Sequence, residues 1–129
     1  MNVAILLFDG VTALDAIGPY EVLSGVPGWQ VDFVAVEAGH RRTDTGVTSI
    51  EAATAVSEVS EAGVVPVPGG AGSRLAMEDE ATLAWLNQVC PSATWVTSVC
   101  TGSLVLASAE RDDWLRRRQA GDFFPDSAS

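Results

Sequence analysis

Cys100 lies in VTSVCTGSLVLA (residues 96–107), at the joint between a β-branched run and an apolar segment. Val96 and Thr97 read as the end of a strand, and Leu104 to Ala107 as part of a helix. A strand-to-helix joint with a small residue just beyond it is how a nucleophile elbow is built, because the sharp turn lifts the side chain clear of the sheet. Gly102 gives the backbone room there. The next helix directs its N-terminus at the sulfur, and that partial positive charge favours thiolate over thiol. The thiolate is the reactive form, so Cys100 is the candidate nucleophile. A lone cysteine near a strand end is more often a small buried hydrophobe, so the assignment needs companions.

Two companions stand at other strand ends. Gly69 and Gly70 close the segment AGVVPVPGG (62–70) and can bring backbone N–H groups close to charge developing on a ligand. Asp15 follows the first strand among Leu14, Ala16 and Ile17, where a carboxyl can serve as acid or base. Taken alone it would read as a loop or capping aspartate. Cys90 continues the apolar stripe of a helix and needs no chemical role.

These residues need a scaffold that gathers strand ends. NVAILLF (2–8) is a continuous apolar run, the pattern of a strand buried on both faces. ALDAIGPYEVLSG (13–25) reads as a loop and then a short helix, with Pro19 at its first position and Gly25 just past its end. WQVDFVAV (29–36) is a second strand, and VTSI (47–50) a short one in a hairpin with residues 41–43. A further strand precedes Gly69, with Pro66 awkwardly inside it. MEDEATLAWLNQVC (77–90) reads as one amphipathic helix with Glu78, Asp79 and Glu80 in its first turn. ATWVTSV (93–99) and TGSLVLASAE (101–110) supply the last strand and helix. Strands alternating with helices predict an α/β fold, a mostly parallel sheet between helical layers, with ligands at the carboxyl ends of the strands.

The bulk composition narrows the partners. One domain is expected from 129 residues, and 47% hydrophobic with 19% charged residues is globular. The net charge of −10 argues against nucleic acid. The N-terminus has neither a basic region nor a long apolar stretch, so neither a signal peptide nor a membrane span is expected there. Two cysteines in an unprocessed chain make a reducing cytoplasm the expected setting, and the expected partner is a small-molecule substrate. Two cysteines do not make a disulfide framework, and His40 in a polar turn is the sole histidine, so no metal site is expected.

The stretches LLFDGVTALDAIGPYEVL, VPGGAGSRLAMEDEATLAWL and TWVTSVCTGSLVLA resemble the DJ-1/PfpI superfamily, and within it the bacterial isocyanide hydratases. The resemblance runs from residue 3 to about residue 108. It implies a flavodoxin-like three-layer sandwich, a homodimer in the full-length family fold, and no cofactor. By position it makes Cys100 the nucleophile and Asp15 the general acid/base. Thr101 would help to hold substrate, and the backbone around Gly69 and Gly70 would flank the sulfur. The implied reaction adds water to an isocyanide and yields an N-substituted formamide. The terminal carbon accepts the thiolate, the nitrogen needs a proton that Asp15 supplies, and water activated by the same carboxylate releases the thiol.

Other superfamily members act as glyoxalases, deglycases or proteases and carry a glutamate on the first helix and a histidine after the elbow. Glu21 is present but no histidine follows Cys100, which favours the hydratase. A third alternative is the sensing domain of AraC-type transcription regulators, which needs a helix-turn-helix downstream. The likeness stops near residue 109, so residues 1–109 read as a partial family domain. Residues 110–129 read as a divergent tail, with Arg111, Arg116, Arg117 and Arg118. The expectation is a truncated chain in which Val96 and Val99 lie on an open apolar edge, with poor folding and no activity.

Overall fold

The computed structural model describes residues 1–98 and Gly102. Strand β1 (Asn2–Leu6) is buried from Val3 onward, as its unbroken apolar run requires of a strand covered on both faces. It lies at the centre of a five-stranded sheet with β2 (Gln30–Ala35), β5 (Thr54–Ala55), β6 (Val64–Val67) and β7 (Trp95–Ser98), in the order β5-β2-β1-β6-β7. All pairings in this sheet are parallel. A separate antiparallel hairpin joins β3 (Gly39–Arg42) to β4 (Ser49–Ala52), as expected for the 41–50 region, though β4 begins two residues later than the VTSI reading placed it.

Helix α1 (Ala13–Ser24) connects β1 to β2, while α2 (Ser73–Glu78) and α3 (Glu80–Val89) connect β6 to β7. The first crossover moves one way along the sheet and the second moves the other way. With right-handed connections the helices therefore lie on opposite faces. The result is the three-layer α/β sandwich expected from the alternation of strands and helices, and the strand order reverses direction between β1 and β6.

Two local expectations are corrected. Pro19 falls inside α1 rather than at its start, because the helix begins at Ala13. Proline removes one i→i−4 bond there, and packing supplies what the local preference lacks: Tyr20 stacks on Phe33 with ring centroids 5.1 Å apart, and Ala16 is fully buried. The single helix expected over 77–90 is two, broken at extended Asp79, whose carboxylate accepts the Thr82 N–H at 3.1 Å and caps α3. Only Glu80 of the three acidic residues lies in a first helical turn, since Glu78 ends α2. Strand β7 is the end strand of the sheet among the described residues, and on it Val96 is 2% exposed whereas Trp95 is 47% exposed. Alternation along β7 turns Val96 toward the interior and Trp95 out.

Pro66 sits in the middle of β6 and is tolerated there for a visible reason. The β1–β6 register is a single pair, Val3 with Val64, so the ladder to β1 ends upstream of the residue that has no N–H. Its other neighbour pairs normally, Pro66 with Thr97. Gly25 caps α1 as expected, its N–H donating to the Val22 carbonyl. Among the described residues no helix is long and apolar enough to cross a membrane.

The core combines β1, β6 and α3: Ile5, Leu6, Val65, Val67, Leu86 and Val89 are fully buried. Cys90 belongs to it, at 0% exposure in a 3₁₀ turn after α3, which is the structural position its apolar stripe predicts. Trp85 ties α3 to the loop before β6, its indole N–H donating to the Val59 carbonyl at 2.9 Å. Chemical denaturation should separate the two contributions of this side chain. Trp85→Phe removes the hydrogen bond and should cost about 1 kcal/mol. Trp85→Ala also empties the packing space and should cost ~3–5 kcal/mol. A Trp85→Phe chain as stable as the parent would show that the indole bond contributes nothing.

Candidate active site at the β1–β6 switch

After β1 the chain runs through Leu7, Phe8, Asp9 and Gly10 to Val11, which is held on both sides. Val11 bridges Gly70 in an antiparallel sense and Thr43 in a parallel sense. The Asp44 N–H donates to the Val11 carbonyl at 2.9 Å, and the Thr12 N–H donates to the Gly69 carbonyl at 2.9 Å. Residues 11 and 12 are thus a short extended link between the tip of the β3–β4 hairpin and the turn that follows β6. Helix α1 begins immediately after it.

Asp15 stands in the first turn of α1, where a carboxylate is favoured by the helix dipole. It is 9% exposed. Its Oδ2 accepts the Gly69 N–H at 3.3 Å, and its own N–H donates to the Thr12 carbonyl at 3.0 Å. The Gly69 peptide therefore faces both ways at once, its carbonyl toward Thr12 and its N–H toward Asp15.

Gly70 has φ +137°, a conformation that side chains rarely adopt. A Cβ there would collide with the Gly10 carbonyl and the Thr12 nitrogen. The close pass of residues 10–12 over residues 69–70 thus depends on the absence of a side chain. Gly102 shows the same constraint from the other strand: a Cβ on it would run into the Val67 carbonyl and crowd that of Pro68. The residue expected to give the elbow room is buried and helical, and its backbone lies against the carboxyl end of β6.

Cys100 and Thr101 lie outside the described residues. The described residues that flank them in the chain are Ser98, which ends β7, and Gly102, packed on the end of β6. Asp15, Gly69 and Gly70 are brought together at the place where open α/β sheets bind ligands, outside the strand ends at the reversal of strand order. Among the described residues no group of His, Cys, Asp and Glu could hold a metal ion, and His40 is exposed on β3.

Two contributors were not read from the sequence, Thr12 and Asp44. The Thr12 hydroxyl donates to Asp44 Oδ2 at 2.8 Å, across 32 residues of chain. The only local signal is turn chemistry, TDTG at residues 43–46, which announces a hairpin tip but not what the tip touches.

A second cleft of about 500 Å³ opens between the ends of β1 and β2 and helices α2 and α3, lined by Leu7, Asp9, Glu37, Arg41 and Asp79 among others. Within it Asp9 accepts the Arg42 N–H at 3.0 Å, and Arg41 donates to the Glu37 and His40 carbonyls. An apolar groove of about 440 Å³ runs between α1 and the β6–β7 pair, lined by Pro19, Val22, Trp29, Pro66 and Trp95.

Comparison with known proteins agrees with this geometry. The sequence profile of the DJ-1/PfpI family matches residues 1–120. An isonitrile hydratase of Pseudomonas putida is 40% identical over 109 residues, covering 84% of this chain and 47% of that protein. A solved ThiJ/PfpI family protein from Pseudomonas syringae superimposes with a TM-score of 0.80 at 30% identity, over 84% of this chain and 45% of its own. Drosophila melanogaster DJ-1beta shares the fold, with a TM-score of 0.73 at 21% identity over 84% of this chain and 60% of its own. The chain spans about half the length of the curated relative it matches, 47%. A parallel sheet with its strand ends closed by a glycine pair, a first-turn carboxylate beside that pair, and a match over residues 1–120 lead to one conclusion: this chain belongs to the DJ-1/PfpI family.

Proposed function

We propose that this chain carries the site of an isocyanide hydratase, with Cys100 as nucleophile and Asp15 as general acid and base. The observation that carries the reading is the Asp15 carboxylate, nearly buried at the strand ends and held through Oδ2 by the Gly69 N–H at 3.3 Å. The likeness to an isonitrile hydratase supports the same substrate class, since isonitrile and isocyanide name one functional group.

The reaction balances with these two side chains and water. The Cys100 thiolate forms a bond to the terminal carbon of R–N≡C, and the proton held by Asp15 completes a thioimidate, R–N=CH–S. The Asp15 carboxylate then takes a proton from water as its hydroxyl adds to that carbon, and the nitrogen receives this proton. The carbon–sulfur bond breaks, the thiolate leaves, and the hydroxyl proton returns to Asp15. The product is R–NH–CHO, and both side chains end as they began. Thr101 holds the substrate, and the Gly69-Gly70 backbone flanks the sulfur. The Gly69 N–H is engaged by Asp15, so its part is to hold the carboxylate.

This reading runs against the expectation of an inactive chain, and hydration of an alkyl isocyanide by the purified chain, followed by NMR detection of the formamide, decides between them. Asp15→Asn should lower the rate by about 10²–10⁴, the usual contribution of a positioned acid/base, while leaving the fold intact. Cys100→Ala should abolish turnover. Formamide production at the parental rate by either variant would overturn the mechanism.

The two thiols should also differ in reactivity. Cys90 is fully buried, so limiting iodoacetamide near neutral pH should modify Cys100 first, as read by peptide mapping. Preferential alkylation of Cys90 in folded protein would remove Cys100 as the nucleophile.

A further inference from the structure

Thr12 occupies the N-cap position of α1 but makes no side-chain cap bond. Threonine at this position ordinarily accepts an N–H of the first turn. Here its hydroxyl donates to Asp44 Oδ2 at 2.8 Å, and the Asp15 N–H goes to the Thr12 main-chain carbonyl at 3.0 Å. A hydrogen bond to a carboxylate is stronger than one between neutral groups, so the hydroxyl's role is to tie the helix start to the hairpin.

Asp44 grips two consecutive residues, with its N–H on the Val11 carbonyl and its carboxylate on the Thr12 hydroxyl. The turn that presents it is braced internally. Thr43, 3% exposed, donates its N–H to the Thr48 carbonyl at 2.9 Å and its hydroxyl to the same oxygen at 3.1 Å. Arg42 Nη1 reaches the Gly46 carbonyl at 2.9 Å, and the Gly46 N–H bonds the Thr43 carbonyl at 2.9 Å. A stiff turn thus holds a two-residue link, and that link bonds the Gly69 carbonyl on one side and the Asp15 N–H on the other. Gly69 in turn holds the Asp15 carboxylate.

We propose that Asp44 and Thr12 form a positioning pair, through which the β3–β4 turn keeps the Asp15 carboxylate and the Gly69 peptide in register for proton transfer. Neither residue touches substrate; both act through Asp15. The inference rests on the reading of Asp15 as the acid/base of isocyanide hydration.

The experiment compares the parent chain with Asp44→Ala, Asp44→Asn, Thr12→Val, Thr12→Ser and the Asp44→Ala/Thr12→Val double variant. Each is measured for kcat and KM with an alkyl isocyanide, and for exchange of the Gly69 amide by NMR. Asp44→Ala and Thr12→Val should each lower kcat by roughly 10- to 100-fold, the scale of a small misplacement of a reacting group, with KM nearly unchanged. Asp44→Asn keeps an acceptor and Thr12→Ser keeps the hydroxyl, so both should recover most of the rate. The double variant should be no slower than the worse single one, because both cuts remove one contact. The Gly69 amide should exchange faster in Asp44→Ala and in Thr12→Val, and Thr12→Val makes the same cut should Asp44→Ala not fold. A parental kcat, or Gly69 exchange no faster than in the parent, overturns the proposal. If the parent chain itself hydrates no isocyanide, the reading of the site fails, and Gly69 exchange then decides the positioning pair alone.

Discussion

The Thr12 N–H and the Gly69 carbonyl, 2.9 Å apart, join the exit of β1 to the exit of β6. The register of the two strands sets Val3 opposite Val64, and their apolar side chains are buried in the core. Beyond the strand ends residues 10–12 lie directly on residues 69–70. That approach needs bare backbone at Gly70, where a Cβ would strike the Gly10 carbonyl and the Thr12 nitrogen, and Gly10 passes equally close to Gly72. Chemistry becomes available where the main chain is forced this close, because peptide groups take up positions that side chains could not hold as rigidly.

The carboxylate at this closure is fixed by elements that are remote in sequence. Asp15 is set by its own helix, by a peptide 54 residues away, and through Thr12 by a hairpin tip. A helix start anchored only by its own turn would fray, since its first N–H groups lack partners within the helix. Here the Thr12 N–H finds a tertiary acceptor in the Gly69 carbonyl, and the Asp15 N–H turns back to the Thr12 carbonyl. The separate two-stranded sheet, which adds little to the buried core, thereby serves the site.

Much of this could be read from the chain itself. The apolar run of β1 announced a central strand, the alternation of elements announced a parallel sheet, and the glycine pair and Asp15 fell at strand ends as ligand-binding rules require. What could not be read has two causes. Pro19 looked like a helix start because proline favours that position, but Ala16 and Tyr20 pack well enough to carry the helix across it. Thr12 and Asp44 carried no signal, because a bond across 32 residues exists only once the hairpin is placed. There long-range contacts outweighed local preferences worth about a kilocalorie. Glu78, Asp79 and Glu80 looked like one acidic first turn, but a local bond decided otherwise, Asp79 being extended and capping α3 through the Thr82 N–H.

Pro19 has one more effect. It has no N–H, so the bond that position 19 would give to the main-chain carbonyl of Asp15 is missing from α1. The neighbouring bonds span the same turn and the helix continues through it, one bond weaker at the residue that carries the carboxylate. Contacts outside the ladder lie on either side of that place: the Gly69 N–H on the Asp15 carboxylate and the Tyr20 ring on Phe33. The carboxylate is thus held by the sheet it faces as well as by the helix that bears it.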